Sequence, residues 1–138
     1  MFELVHTYTD WYDGPIGGLA DYQGRPHIYE AQRNEQPGTP CFGPLFRLSP
    51  VDQDTLALAL EDWGIWLRWD EAFQAGLIAQ STYPALPSDR PRYEELQGLL
   101  AGKLVLDPER AFFMCGELRC TLRGAMEPLT EVRWYPPT

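Results

Sequence analysis

The sequence predicts an α+β fold, a single domain over residues 1–138 in which an antiparallel sheet carries an inserted two-helix segment. Three observations carry that expectation. Alternating apolar and polar residues mark both ends of the chain, helical periodicity is confined to the middle, and proline- and glycine-rich stretches separate the two patterns. Strands at both ends around a helical pair suit an antiparallel sheet of about five to six strands, completed by the C-terminal ones. Such a sheet either stays open with the helices across one face or curls into a small barrel, and the pattern does not separate the two.

Residues 2–9, FELVHTYT, alternate Phe2, Leu4, His6 and Tyr8 with Glu3, Val5, Thr7 and Thr9, a strand pattern that puts His6 on an apolar face and predicts a packed imidazole. Asp13-Gly14-Pro15 and Gly17-Gly18 then read as a loop. Segments 18–23 and 27–32 form a hairpin around Gln23-Gly24, where glycine supplies the positive φ of a primed turn. Pro37, Pro40 and Pro44 exclude helix or central strand from the next stretch, and 45–48 gives one more short strand.

At Ser49-Pro50 the chemistry switches. Ser49 suits an N-cap, Pro50 the first helical position, and Asp52 and Asp54 the positive end of the dipole, so a helix is expected over 50–75 with Gly76 as its C′ residue. A second helix over 89–104 has Tyr93, Leu96, Leu99 and Leu100 as its apolar stripe. Strand 111–122 carries Phe112, Met114, Leu118 and Cys120 on one side, and strand 129–135 puts Val132 and Trp134 on one face.

Composition excludes several classes. Twenty acids against eleven bases give a net charge of −9, with only one lysine, Lys103, and no basic cluster to neutralise phosphates, so nucleic-acid binding is not expected. Residues 50–105 hold nine acids and four bases, which concentrates the acidity in the middle of the chain. No basic-then-apolar leader opens the sequence and no apolar run approaches the roughly 20 residues of a membrane span. Three cysteines do not make a disulfide framework, and Cys115 and Cys120 would point to opposite faces of a strand. Reduced thiols in a cytoplasmic protein are the expectation.

The most distinctive stretch is EDWGIWLRWDEAF, residues 61–73, with three of the five tryptophans. On a helical wheel Asp70 falls between Trp63 and Trp66, and Asp62 lies beside Trp66 and Trp69. Desolvated carboxylates among aromatic rings suit a cationic ligand or general-acid chemistry, whereas the structural alternative is a carboxylate held by an indole N–H or by an arginine such as Arg47 or Arg133. Asp10, Asp13 and Asp21 lack calcium-loop spacing, so turn chemistry is preferred and no metal or other cofactor is expected. Cys41 activated by His6 or His27 lacks any local signature, and no Walker, nucleophile-elbow or zinc motif occurs.

The reading that follows is a non-catalytic protein-interaction module. Tyr12, Tyr22 and Tyr29, with Phe113 and Tyr135, are its expected exposed anchors, and its acidic surface favours a basic protein partner. The alternative is a small-molecule-binding protein or small enzyme with a pocket between the long helix and the sheet, lined by Asp70, Asp62, Trp66 and Trp63. The long helix is apolar around most of its circumference, which adds the expectation of a homo-dimer.

Overall fold

Antiparallel strands joined in sequence order are closed into a ring by pairing the first with the last. The computed structural model describes residues 1–11, 15–32, 41, 43–123 and 127–137. Strands β1 (Glu3–Trp11), β2 (Pro15–Tyr22), β3 (Arg25–Gln32), β4 (Leu45–Pro50), β5 (Phe112–Arg123) and β6 (Glu127–Tyr135) form a closed six-stranded antiparallel barrel. Between β4 and β5 come helix α1 (Gln53–Gln74), a 3₁₀ turn (Gln80–Thr82) and helix α2 (Arg90–Leu100). The chain is therefore α+β, and its sheet is a barrel. It divides into two compact units, the barrel with its flanks (Met1–Asp52 and Val105–Thr138) and the helical unit (Gln53–Leu104). Among the described residues no helix is long and apolar enough to cross a membrane.

The β2–β3 hairpin turns on Gln23 (φ 53°) and Gly24 (φ 75°), the two positive-φ positions that match a two-residue loop to strand twist. The Glu3 carboxylate accepts both turn amides, Gln23 N–H at 3.0 Å and Gly24 N–H at 2.7 Å. Pro26 follows directly, opposite Asp21. One step past the closing Tyr22–Arg25 pair, an antiparallel ladder needs no amide from that residue toward its hairpin partner, so proline is tolerated.

The barrel interior is aromatic. Val5, Ala20, Tyr29, Phe46, Leu48, Met114 and Val132 form its buried cluster, with Tyr22, Phe112, Leu118 and Trp134 packed against it. Phe46 meets Tyr29 at 5.7 Å and Trp134 at 5.5 Å between ring centroids, both nearly edge-on. Gly116 makes room for this packing, since a Cβ there would stand 2.9 Å from the Phe46 ring. The polar tips are satisfied as well: the Tyr29 hydroxyl donates to the Thr7 carbonyl at 2.9 Å, and the Trp134 indole N–H donates to the Asp21 carbonyl at 2.8 Å. Burial holds the Tyr29 phenol far above the usual range for its ionisation.

Several expectations change. In β1 it is Val5 that joins the core and Thr7 that is buried, while Leu4 is 40% exposed, so the apolar alternation of Phe2, Leu4, His6 and Tyr8 does not mark the inner face. Phe2 is covered from outside by guanidinium groups, Arg119 at 3.8 Å and Arg133 at 5.7 Å from its ring. Gly17 and Gly18 belong to β2 rather than to a loop. Gly18 has φ +148°, and a Cβ there would fall 2.1 Å from the Thr7 carbonyl oxygen, where β1 departs from regular register. Ser49 and Pro50 extend β4 instead of starting α1: Pro50 pairs with His27, and the Ser49 hydroxyl accepts the Asp107 amide at 3.1 Å. α2 stops at Leu100 because Ala101 turns extended (ψ 123°) and Gly102 takes φ 75°, a type II turn closed by the Lys103 N–H on the Leu100 carbonyl.

The cysteine expectation is overturned. Cys41 and Cys115 form a disulfide across a sequence separation of 74, and Cys120 alone is free. Sequence spacing exposes only the Cys115–Cys120 relation. The bridge depends on β4 pairing with β5, which sets Leu45 opposite Cys115 and the chain before β4 beside it.

Candidate interaction site

The stretch 61–73 lies wholly within α1, where residues three or four apart are neighbours. Trp63 and Trp66 stack on each other, centroids 5.1 Å apart at 23°, so the two rings do not stand apart as the walls of a cage. Trp69 and Phe73 stack at 5.0 Å and 8°, and Tyr83, from the connection to α2, sets its edge against Trp69 at 4.9 Å and 86°.

Trp69 is the fixed point of this cluster. It is 4% exposed, and its indole N–H donates to the Thr82 hydroxyl at 2.9 Å, which itself donates to the Ala79 carbonyl at 2.6 Å. The Arg90 guanidinium donates to the Thr82 carbonyl at 2.7 Å, tying the same connection to the start of α2. Beneath these bonds Ile65, Ala85 and Leu96 form the unit's buried core, flanked by Leu58 and Tyr93. α1 ends as its glycine predicts: Gly76 has φ 74°, its N–H reaches the Phe73 carbonyl, and the Leu77 N–H reaches the Ala72 carbonyl, a Schellman cap.

Two apolar side chains on this frame are not covered. Leu77, one residue past the cap, is 76% exposed, and Tyr83 is 57% exposed. Large apolar side chains held at the surface by a bonded scaffold have the character of interface anchors.

The acids of the stretch divide by role. Asp62 accepts the Gln97 amide of α2 at 2.9 Å; burial pushes its carboxyl up, and the Gln97 hydrogen bond opposes that. Asp70 accepts the amide of Gln74, one turn on, at 3.4 Å. The Trp69 indole is bound to Thr82, and Arg133 pairs with Glu117 across β5 and β6. The arginines of the helical unit are engaged elsewhere. Arg68 forks onto Asp89 at 2.9 and 3.0 Å, and Arg92 forks onto Glu61 at 2.6 and 2.8 Å while reaching Glu95 at 2.6 Å. The Arg92 hydrogen bond holds the Glu61 carboxyl below the usual range.

The tyrosines expected as anchors are placed differently. Tyr29 is 1% exposed and central to the barrel core, and Tyr22 packs against that core, edge-on to His27 at 5.3 Å and tilted on Phe112 at 4.9 Å. Both belong to strands whose inward parity outweighs their polar tips. Tyr12, Asp13 and Gly14 lie outside the described residues. Phe113 is exposed on β5. Tyr83 and Leu77 were not singled out from sequence, although large apolar residues in a connection broken by Pro84 and Pro87 are a signal that could have found them.

In the barrel the Cys41 sulfur is bonded to Cys115, which removes it as a nucleophile. His6 Nε2 lies 2.8 Å from Asp21 Oδ1, a pair that strand register creates and sequence spacing hides, and His27 Nδ1 lies 2.8 Å from the Arg25 carbonyl. Among the described residues no cluster of three His, Cys, Asp or Glu side chains could hold a metal ion, and no buried side-chain nitrogen or oxygen lacks a partner. No protein-family model, curated protein or solved structure matches the chain.

Proposed function

We propose that this protein is a non-catalytic protein-interaction module whose contact surface is the helical unit's Tyr83–Trp69–Phe73 cluster with Leu77. The observation that carries the reading is the exposure of Tyr83 and Leu77 on a scaffold fixed by the Trp69–Thr82–Arg90 hydrogen bonds. A rigid aromatic anchor loses little conformational entropy when it is covered, which is why tyrosine and tryptophan dominate binding energetics. The barrel, by contrast, packs Tyr22, Tyr29 and Trp134 into or against its core.

The test is a paired one. Proteins that copurify with the full chain are identified, purified, and titrated against wild type and a Leu77→Ser/Tyr83→Ala variant. The expected result is a variant with a near-native melting temperature and a weakening of at least about tenfold, as for a hot-spot pair. Partners that bind the variant as tightly as wild type and lose affinity instead with Phe113→Ser would overturn the proposal.

A further inference from the structure

Resting on that reading, we infer that the partner presents a basic amphipathic segment, with an apolar side chain against Tyr83 and Leu77 and an arginine or lysine at Asp70. Charge complementarity is the reason. Asp70 lies four residues after Trp66 and three before Phe73, on the same stripe of α1. Its partner is a neutral amide at 3.4 Å, and Glu71 beside it is exposed and makes no ion pair among the described residues.

The end of α1 adds to this field. Its last turn contains no basic residue to offset the negative end of the helix dipole. Arg68 and Arg92 are bound to carboxylates, and Arg90 is bound to the Thr82 carbonyl. Residues 53–104 carry eight acids against four bases, net −4. Apolar anchors on a unit whose net charge is negative, with Asp70 and Glu71 in the last turns of the helix that leads to Leu77, select a cationic partner and repel an anionic one. A second copy of this chain, at net −9, would set acid against acid, so it is the disfavoured occupant.

The experiment uses the full chain and two synthetic helical peptides, one of leucine and lysine and one with every lysine replaced by glutamine, read by fluorescence anisotropy at two salt concentrations. The lysine peptide should bind more tightly than the glutamine peptide and weaken with salt. Asp70→Asn/Glu71→Gln should weaken it about fivefold. Asp54→Asn/Glu94→Gln, the same charge change elsewhere in the unit, should leave it unchanged. If the two acid variants weaken binding equally, the attraction is non-specific and the inference fails. Should the glutamine peptide bind as well as the lysine peptide, yet lose affinity in Leu77→Ser/Tyr83→Ala, the surface stands and the basic partner falls. Binding of both peptides that is indifferent to Leu77→Ser/Tyr83→Ala defeats the surface itself. A dimer in light scattering that Leu77→Ser/Tyr83→Ala dissociates would assign the surface to a second copy.

Discussion

In the barrel, Tyr29 and Phe46 are 1% and 0% exposed and Trp134 closes over them, whereas in the helical unit Tyr83 stands 57% exposed against a buried Trp69. The two units are built from the same aromatic-rich chain and use that property in opposite senses. The barrel packs Tyr29, Phe46 and Trp134 against one another in its interior, so these aromatics are committed to stability, while Phe113 stays exposed on β5. A pair of helices joined by a proline-broken connection buries Ile65, Ala85 and Leu96 together, and Trp69 of α1 as well, yet leaves Tyr83 largely outside. Where stability is internal and cheap to maintain, the outward aromatics of the other unit become the candidates for function.

The comparison can be broken most forcefully in the barrel. Phe46→Ala removes the ring that joins Tyr29 to Trp134 and should destabilise the barrel by about 3–5 kcal/mol, read by thermal or chemical denaturation. A loss below about 1 kcal/mol would mean that the core is not organised around this ring. Removing the Cys41–Cys115 bridge with Cys41→Ser comes next, at roughly 2–4 kcal/mol for a cross-link closing so long a loop, and reduction of the wild type should reproduce the loss. If the reduced and oxidised proteins melt together, the bridge contributes nothing to the barrel.

The smallest effect belongs to the helical unit and depends on pH. Burial raises the Asp62 carboxyl above its unfolded value, so the folded state binds this proton more tightly than the unfolded state does. Its favourable contribution is complete below about pH 3.9, the unfolded value, and is lost as pH rises through the higher folded value. Asp62→Asn, which keeps the acceptor oxygen facing Gln97, should therefore flatten the fall in stability over that window and leave the lower end unchanged. A variant whose pH profile superimposes on that of wild type would show that Asp62 is not desolvated.

What the sequence makes legible follows from whether the signal is local. The turn at Gly24 and the cap at Gly76 are readable because glycine reaches positive φ without steric cost. The shared face of Val132 and Trp134 is readable because a strand has period two, and both reach the barrel core. The face of β1 is not readable, since apolar residues occur on both sides and the outer ring of Phe2 is covered by arginines from β5 and β6. Ser49 has every local attribute of an N-cap, yet pairing with β3 and the amide of Asp107 claim that part of the chain. The same holds at the candidate site. The wheel places Asp70 among tryptophans but cannot show that Trp69 turns its indole to Thr82, thirteen residues on, or that Tyr83 returns to cover it. The Cys41–Cys115 bridge likewise needs the register of β4 and β5, and with it the cysteine argument for a reducing compartment falls away.

The pairing of β4 with β5 has a kinetic side. Leu48 meets Phe112 only after the whole of segment 49–111 has been looped out, the kind of distant contact that slows folding of all-β structures. Loop closure costs about 0.6 kcal/mol more for each doubling of flexible length. The helices within that segment make contacts that are local by comparison, such as Trp69 with Thr82 and Arg68 with Asp89, and can form early. A helical unit that forms first takes most of segment 49–111 out of the flexible loop, so the search that closes the barrel starts from a much shorter chain.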